Sequence, residues 1–161
     1  MFRNNCSVGD IVFLSGQLGN GLLGMQNFKK FKRKNNISSS YLKPKALIDY
    51  GKNIAEFASS AIDISDGFLQ DLGHLSKASK VGFELSSSSI PYNSNLSLKQ
   101  CLNCGDDYQL IFTVPKKNIQ SLTKMMKRKR FKMFQIGTSI QTKNIFLDGK
   151  ITSLNKGYKH F

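Results

Sequence analysis

The chain has no tryptophan, only three prolines and three cysteines, and ten acidic residues against 24 lysines and arginines. Each scarcity excludes something. Three cysteines (Cys6, Cys101 and Cys104) are too few, and odd in number, for the disulfide framework of a small secreted domain. A reducing cytoplasm is therefore the expected setting. No run of about eighteen apolar residues occurs, so no transmembrane helix is expected. The opening residues, Met1-Phe2-Arg3-Asn4-Asn5, lack the apolar stretch of a signal peptide. No G-x-x-x-x-G-K-[ST] is present, which excludes a P-loop. Cys101-Leu102-Asn103-Cys104 has no second C-x-x-C, and His74 and His160 are scattered, so a zinc ribbon is excluded too. The two thiols read as incidental.

What remains is a chain of 161 residues, 40% hydrophobic and 21% charged, enough for one domain with a real core. Its formal net charge of +14 suits nucleic acid, an anionic membrane surface or an anionic substrate. A compositional origin has equal standing, because Lys, Asn, Ser, Ile and Phe share A- and T-rich codons. The basic runs 29–34 and 127–130 each close a helix-like segment, where cations suit the helix dipole. Only Phe31 and Phe131 lie beside them, which is not a stacking platform for nucleic acid.

Apolar runs predict strands at 8–15, 59–64, 81–85, 108–114, 131–140 and 144–147. Helical spacing predicts helices at about 44–58, 68–79 and 115–126. Residues 38–40 and 86–98 read as loops, and Asp148-Gly149 as a hairpin turn. This order describes an α+β domain, an α/β sandwich with a mixed, largely antiparallel sheet and packed helices. After the first strand, Gly19, Gly21 and Gly24 match G-x-G-x-x-G. No acidic residue lies about twenty positions on, so the match reads as a tight turn and close packing rather than a dinucleotide site.

Two acidic stretches carry chemistry. In Ala61-Ile62-Asp63-Ile64-Ser65-Asp66-Gly67, a strand meets two carboxylates and a hydroxyl before a helix. Hard oxygen ligands at such a turn suit Mg²⁺ bound with a polyphosphate. Asp66 as a plain helix cap is an equal reading. Gly105-Asp106-Asp107 pairs two acids before a strand; a cation contact and a solvated turn both fit. His74 reads as a surface histidine, since no His or Cys stands three or four positions away.

These motifs resemble a known family. Residues 61–74 are similar to the block A-I-D-I-S-D-G-L-x-x-D-L-G-H of the thiamine-monophosphate kinases. Those enzymes belong with aminoimidazole ribonucleotide synthetase and selenophosphate synthetase. Gly16, Gly19 and Gly24 fit the family's glycine loop, Gly105 to Tyr108 resembles G-E-D-Y, and Gly157 to Phe161 resembles a closing G-[FWY]-D-H-F. The resemblance implies the fold of the C-terminal domain of aminoimidazole ribonucleotide synthetase across 1–161. It implies ATP-dependent phosphorylation of thiamine monophosphate to thiamine diphosphate. It further implies Asp63 and Asp66 as Mg²⁺ ligands, Arg3 and Ser65 as ATP contacts, and Asp106 and Tyr158 as substrate contacts. Asp106 departs from the family's Glu, Asn20 and Lys159 from acids, and Cys104 from a glycine. The family's N-terminal domain, with most acidic Mg²⁺ ligands and the dimer interface, is expected to lie outside this chain. A separate chain would then supply it; the alternatives are a noncatalytic remnant or a basic nucleic-acid-binding module.

Overall fold

A computed structural model describes residues 3–152. Among these, seven strands form one sheet: β1 (Ile11–Leu14), β2 (Ser60–Asp63), β3 (Gly82–Leu85), β4 (Leu110–Val114), β5 (Phe134–Ile140), β6 (Ile145–Leu147) and β7 (Lys150–Ile151). The order is β2-β4-β1-β5-β3-β6-β7. All neighbours are antiparallel except β3 and β6. The sheet is thus mixed and largely antiparallel, as expected.

The described residues also form six α-helices: α1 (Asn20–Phe31), α2 (Ser39–Leu42), which packs on α1, α3 (Ile48–Ile54), α4 (Phe68–Ser79), α5 (Leu98–Asn103) and α6 (Ile119–Lys129). Alternation along the strands builds two cores. Val12, Leu14, Ile62, Phe83 and Ile111 point to one face, under Phe68, Leu72 and Leu75 of α4 and Leu102 of α5. Ile11, Phe13, Phe112 and Val114 point to the other, under Tyr50 and Ile54 of α3 and Leu122 and Met126 of α6. Half of the sheet is therefore covered twice, which explains the unbroken burial of β1.

Several expected elements shift. Residues 39 and 40 begin α2 rather than continuing a loop, and Ser38 is its N-cap. Ser38 Oγ accepts from the Asn35 amide at 2.8 Å, and Asn35 Oδ1 accepts from the Ser38 amide at 2.8 Å. That reciprocal pair caps a short turn that polar composition disguises. The helix expected over 44–58 is the shorter α3, yet Leu47, Tyr50, Ile54 and Phe57 still face one core. Helix α5 runs over the C-x-x-C, started by a capping box in which Ser97 and Gln100 bond reciprocally. Both thiols there are free, and burial pushes each pKa up, so neither is a ready nucleophile.

Asp148 and Gly149 both take positive φ, 51° and 74°, and join β6 to β7 as a tight hairpin. The basic runs end helices: Lys29 and Lys30 sit in the last turn of α1, and Lys127, Arg128 and Lys129 in that of α6. No helix among the described residues is long and apolar enough to cross a membrane.

Candidate functional site

The two acidic stretches meet because β2 and β4 are paired. Asp63 ends β2 opposite Leu110, the first residue of β4. The ladder then continues beyond both strands. The Ile64 amide donates to the Gln109 carbonyl at 2.8 Å, Tyr108 to Ile64 at 2.9 Å and Asp106 to Ser65 at 3.0 Å. The 105–108 turn is thereby zipped onto the 64–66 loop. Gly105 is required at this crossing, since a Cβ there would overlap the Ser65 carbonyl oxygen.

The glycine loop is locked to the same turn. Asp107 accepts from the Gly19 amide at 2.7 Å and from the Gly21 amide at 2.9 Å. Gly21 lies against the Asp106 carbonyl with no room for a Cβ. The glycines therefore serve a close backbone approach, and the α1 N-terminus is already filled by the Asp107 carboxylate.

Asp63, Ser65, Asp66 and Asp106 are thus brought to one corner. Asp63 is exposed; Ser65, Asp66 and Asp106 are half-buried. Ser65 Oγ lies 3.4 Å from Asp66 Oδ1 as a donor, and Gln70 Nε2 lies 3.5 Å from Asp66 Oδ2. Tyr108 stands among them, its hydroxyl donating to Asp106 Oδ1 at 3.2 Å. Burial and then the carboxylates of Asp106, Asp63 and Asp66 push the Tyr108 phenol upward. Asp106 and Tyr108 both adopt left-handed φ, 63° and 49°. Non-glycine residues held there are strained, and such strain gathers at functional sites.

The Arg3 backbone lies apart from this group. Its carbonyl accepts from Ser79 Oγ at 2.8 Å, at the far end of α4 from Asp66. Twelve helical residues span about 18 Å. Tyr158 lies outside the described residues.

One functional side chain escapes the sequence reading. Asp66 is not the cap of α4: the N-cap is Gly67, which has no side chain to offer. Asp71 reaches back instead. Its Oδ2 accepts from the Ser65 and Asp66 amides at 3.0 Å each and from Gly67 at 3.2 Å. The residue is 2% exposed. Burial raises its pKa, partly offset by these amides. His74 Nδ1 lies 3.6 Å from Asp71 Oδ1. Asp66, Asp71 and His74 present ligand atoms within 4.8 Å of one another, so His74 has acidic neighbours that a search for His or Cys spacing overlooks.

Asp107 is likewise pushed up, by burial first, against the lowering effect of the Gly19 and Gly21 amides. A carboxyl whose folded pKa lies above its unfolded value of about 4 favours the fold most below that value. The contribution is lost as pH rises through the raised folded pKa. The stability of the unmodified chain relative to Asp107→Asn is therefore expected to be greater at pH 4 than at pH 7. Urea midpoints at the two pH values check this, and the reverse order would refute it.

Five of the chain's ten acids (Asp63, Asp66, Asp71, Asp106 and Asp107) gather here in a protein of net charge +14. The outward carboxylates of Asp63, Asp66 and Asp106 are hard oxygen donors, suited to Mg²⁺. The inward two, Asp71 and Asp107, are committed to backbone amides.

A largely antiparallel sheet, glycine loop and acidic strand-to-helix turn define a C-terminal α+β domain of the aminoimidazole ribonucleotide synthetase type. Residues 7–150 match the family model of the AIR synthase related protein, C-terminal domain, and the chain belongs to that family. It is 34% identical to the thiamine-monophosphate kinase of Buchnera aphidicola subsp. Schizaphis graminum, over 100% of this chain and 55% of that protein. It is 32% identical to the thiamine-monophosphate kinase of Aquifex aeolicus, over 99% of this chain and 54% of that protein. A solved structure, AaThiL complexed with AMPPCP and TMP, superposes with a TM-score of 0.83 at 31% identity, over 99% of this chain and 53% of that one. The chain spans about half the length of these relatives.

Proposed function

We propose that this chain forms the C-terminal half of a thiamine-monophosphate kinase, acting in the cytoplasm, with a site completed by the other half of that kinase. The reaction transfers the γ-phosphoryl of ATP to a phosphate oxygen of thiamine monophosphate, giving thiamine diphosphate and ADP. The observation that carries this reading is the convergence of Asp63, Asp66 and Asp106 on one corner, in a chain similar to thiamine-monophosphate kinases over its whole length.

Asp63 and Asp66 would hold Mg²⁺, which when bound neutralises phosphate charge and orients the phosphoryl group. Ser65 offers a hydroxyl to the nucleotide beside them. Asp106 faces the substrate, held by Tyr108; a carboxylate there suits the cationic thiazolium ring. Tyr158 is proposed as the aromatic contact to that ring. Arg3 is proposed as a further contact to the nucleotide.

Of two concavities, one of about 470 Å³ is lined by Lys52, Lys124 and Arg128, and the other, of about 400 Å³, is lined by Gln70, His74, Lys77 and Lys143 and borders the corner through Gln70 and His74.

The test is Mg·ATP-dependent formation of thiamine diphosphate by the purified chain, alone and mixed with the N-terminal half of a relative. Activity is expected in the mixture. Asp63→Asn is expected to lower it about 10²–10³-fold, the range for removing one preorganised charge-stabilising group. No product from the mixture would refute the kinase reading.

A further inference from the structure

We propose that the groove between α3 and α6 is a binding site for a small organic phosphate, separate from the acidic corner. Lys52, Lys124 and Arg128 hold its phosphate, and Phe57 and Met125 receive its apolar body. The inference is independent of the kinase reading, because α3 and α6 cover the face of the sheet opposite α4.

The walls of the groove are fixed by the second core. Tyr50 and Ile54 of α3 share that core with Leu122, Met125 and Met126 of α6. Asn118 Nδ2, at the start of α6, donates to the Phe57 carbonyl just beyond α3 at 3.0 Å. The two elements are therefore held together independently of any ligand. The space between them is a concavity of about 470 Å³, the size of a small-molecule site. Met125, which is buried, and Phe57, which is half-buried, supply its apolar lining.

The charge of the lining sets the ligand class. Lys124 and Arg128 stand four residues apart on α6 and share one face, while Lys52 comes from α3. Glu56 is the acid in the lining. Among the described residues, none of the three cations forms an ion pair, with Glu56 or with any other acid. Residues 108–147 carry nine lysines and arginines and no acid, so no carboxylate of that segment competes for Lys124 or Arg128. A guanidinium fork and two ammonium groups match the oxygens of a phosphate. The apolar lining beside them favours an ester over the free ion, since inorganic phosphate has nothing to place on Phe57 and Met125.

The test uses the whole chain and amide-resolved NMR. Phenyl phosphate is the probe, inorganic phosphate its charged half, and vesicles containing phosphatidic acid separate a lipid headgroup from a free ligand. Phenyl phosphate is expected to shift the amides of Phe57, Ser121 and Lys124 saturably. It is expected to bind about 10-fold more tightly than inorganic phosphate, the lower end for burying an apolar group. Arg128→Ala is expected to weaken that binding about 10-fold, the lower end for one charge-assisted hydrogen bond. Glu56→Gln is expected to tighten it about 2–5-fold, the effect of one exposed charge. Arg128 and Glu56 are both exposed, so neither change threatens the fold. Shifts absent from the groove would overturn the proposal, as would an affinity that Arg128→Ala leaves unchanged. Vesicle binding without saturable phenyl phosphate shifts would also overturn it, and would assign this basic face to a membrane surface.

Discussion

Phe112→Ala is expected to destabilise the fold by about 3–5 kcal/mol, the range for removing a fully buried phenylalanine. Phe112 sits in β4, between β2 and β1, with 0% exposure. Its ring stacks on Phe13 at 5.5 Å and meets Tyr50 edge-on at 6.0 Å. Tyr50 packs in turn on Phe131 at 5.0 Å and donates its hydroxyl to the Lys132 carbonyl at 2.9 Å. One side chain therefore joins the sheet to α3 and to the segment after α6. Neighbours anchored in a strand and two helices cannot collapse into the space, so the cavity persists. Aromatic pairs add about 0.5–1.5 kcal/mol beyond area burial. Phe112→Leu keeps most of the volume and is expected to lose much less. Urea unfolding of both variants checks the order; a Phe112→Ala loss below about 1 kcal/mol would mean that this second core is dispensable.

The expected and observed structures agree where burial sets a local period. The apolar run at residues 11–14 is the central strand β1, and α4 occupies 68–79 as its spacing of Phe68, Leu69, Leu72 and Leu75 requires. The Asp148-Gly149 turn is legible for the same local reason: both positions need positive φ. Disagreement begins where polar side chains organise backbone. Asn35 and Ser38 bond reciprocally in a turn that leads into α2, within a stretch that composition marks as loop. The Ser97–Gln100 capping box is a readable signal for α5, masked by the polar residues before it.

The site divides along the same line. Asp63, Ser65, Asp66 and Asp106 stand out because family motifs contain them, and strand pairing brings them together. The roles of Asp71 and Asp107 are invisible to periodicity. Asp71 bonds amides four to six residues back, and Asp107 bonds amides 86 and 88 residues away. Only tertiary placement turns those acids inward. Arg3 shows the converse: its motif position suggests the nucleotide, while its backbone is tied to the opposite end of α4.

Gly105→Ala tests the junction on which the site depends, and its expected signature is loss of the site with retention of the fold. The added Cβ would enter the space of the Ser65 carbonyl oxygen and crowd the Asp66 backbone. Backbone cannot swing aside as a flexible side chain can, so the 105–108 turn must lift from the 64–66 loop. That separation breaks the bonds from Asp106 to Ser65 and from Tyr108 to Ile64. Overpacking of this kind is expected to destabilise by about 1–3 kcal/mol, which a sheet with two cores survives. Asp106 would move away from Asp63 and Asp66, and Asp107 would draw on the glycine loop through Gly19 and Gly21. A displacement of about 1 Å in a catalytic constellation is worth about 10²-fold in rate. Thiamine diphosphate formation with the complementary half is therefore expected to fall at least about 10²-fold, while cooperative urea unfolding persists. Near-normal activity in Gly105→Ala would mean that Asp106 works independently of the Asp63–Asp66 loop, and the common corner would lose its meaning as a single site.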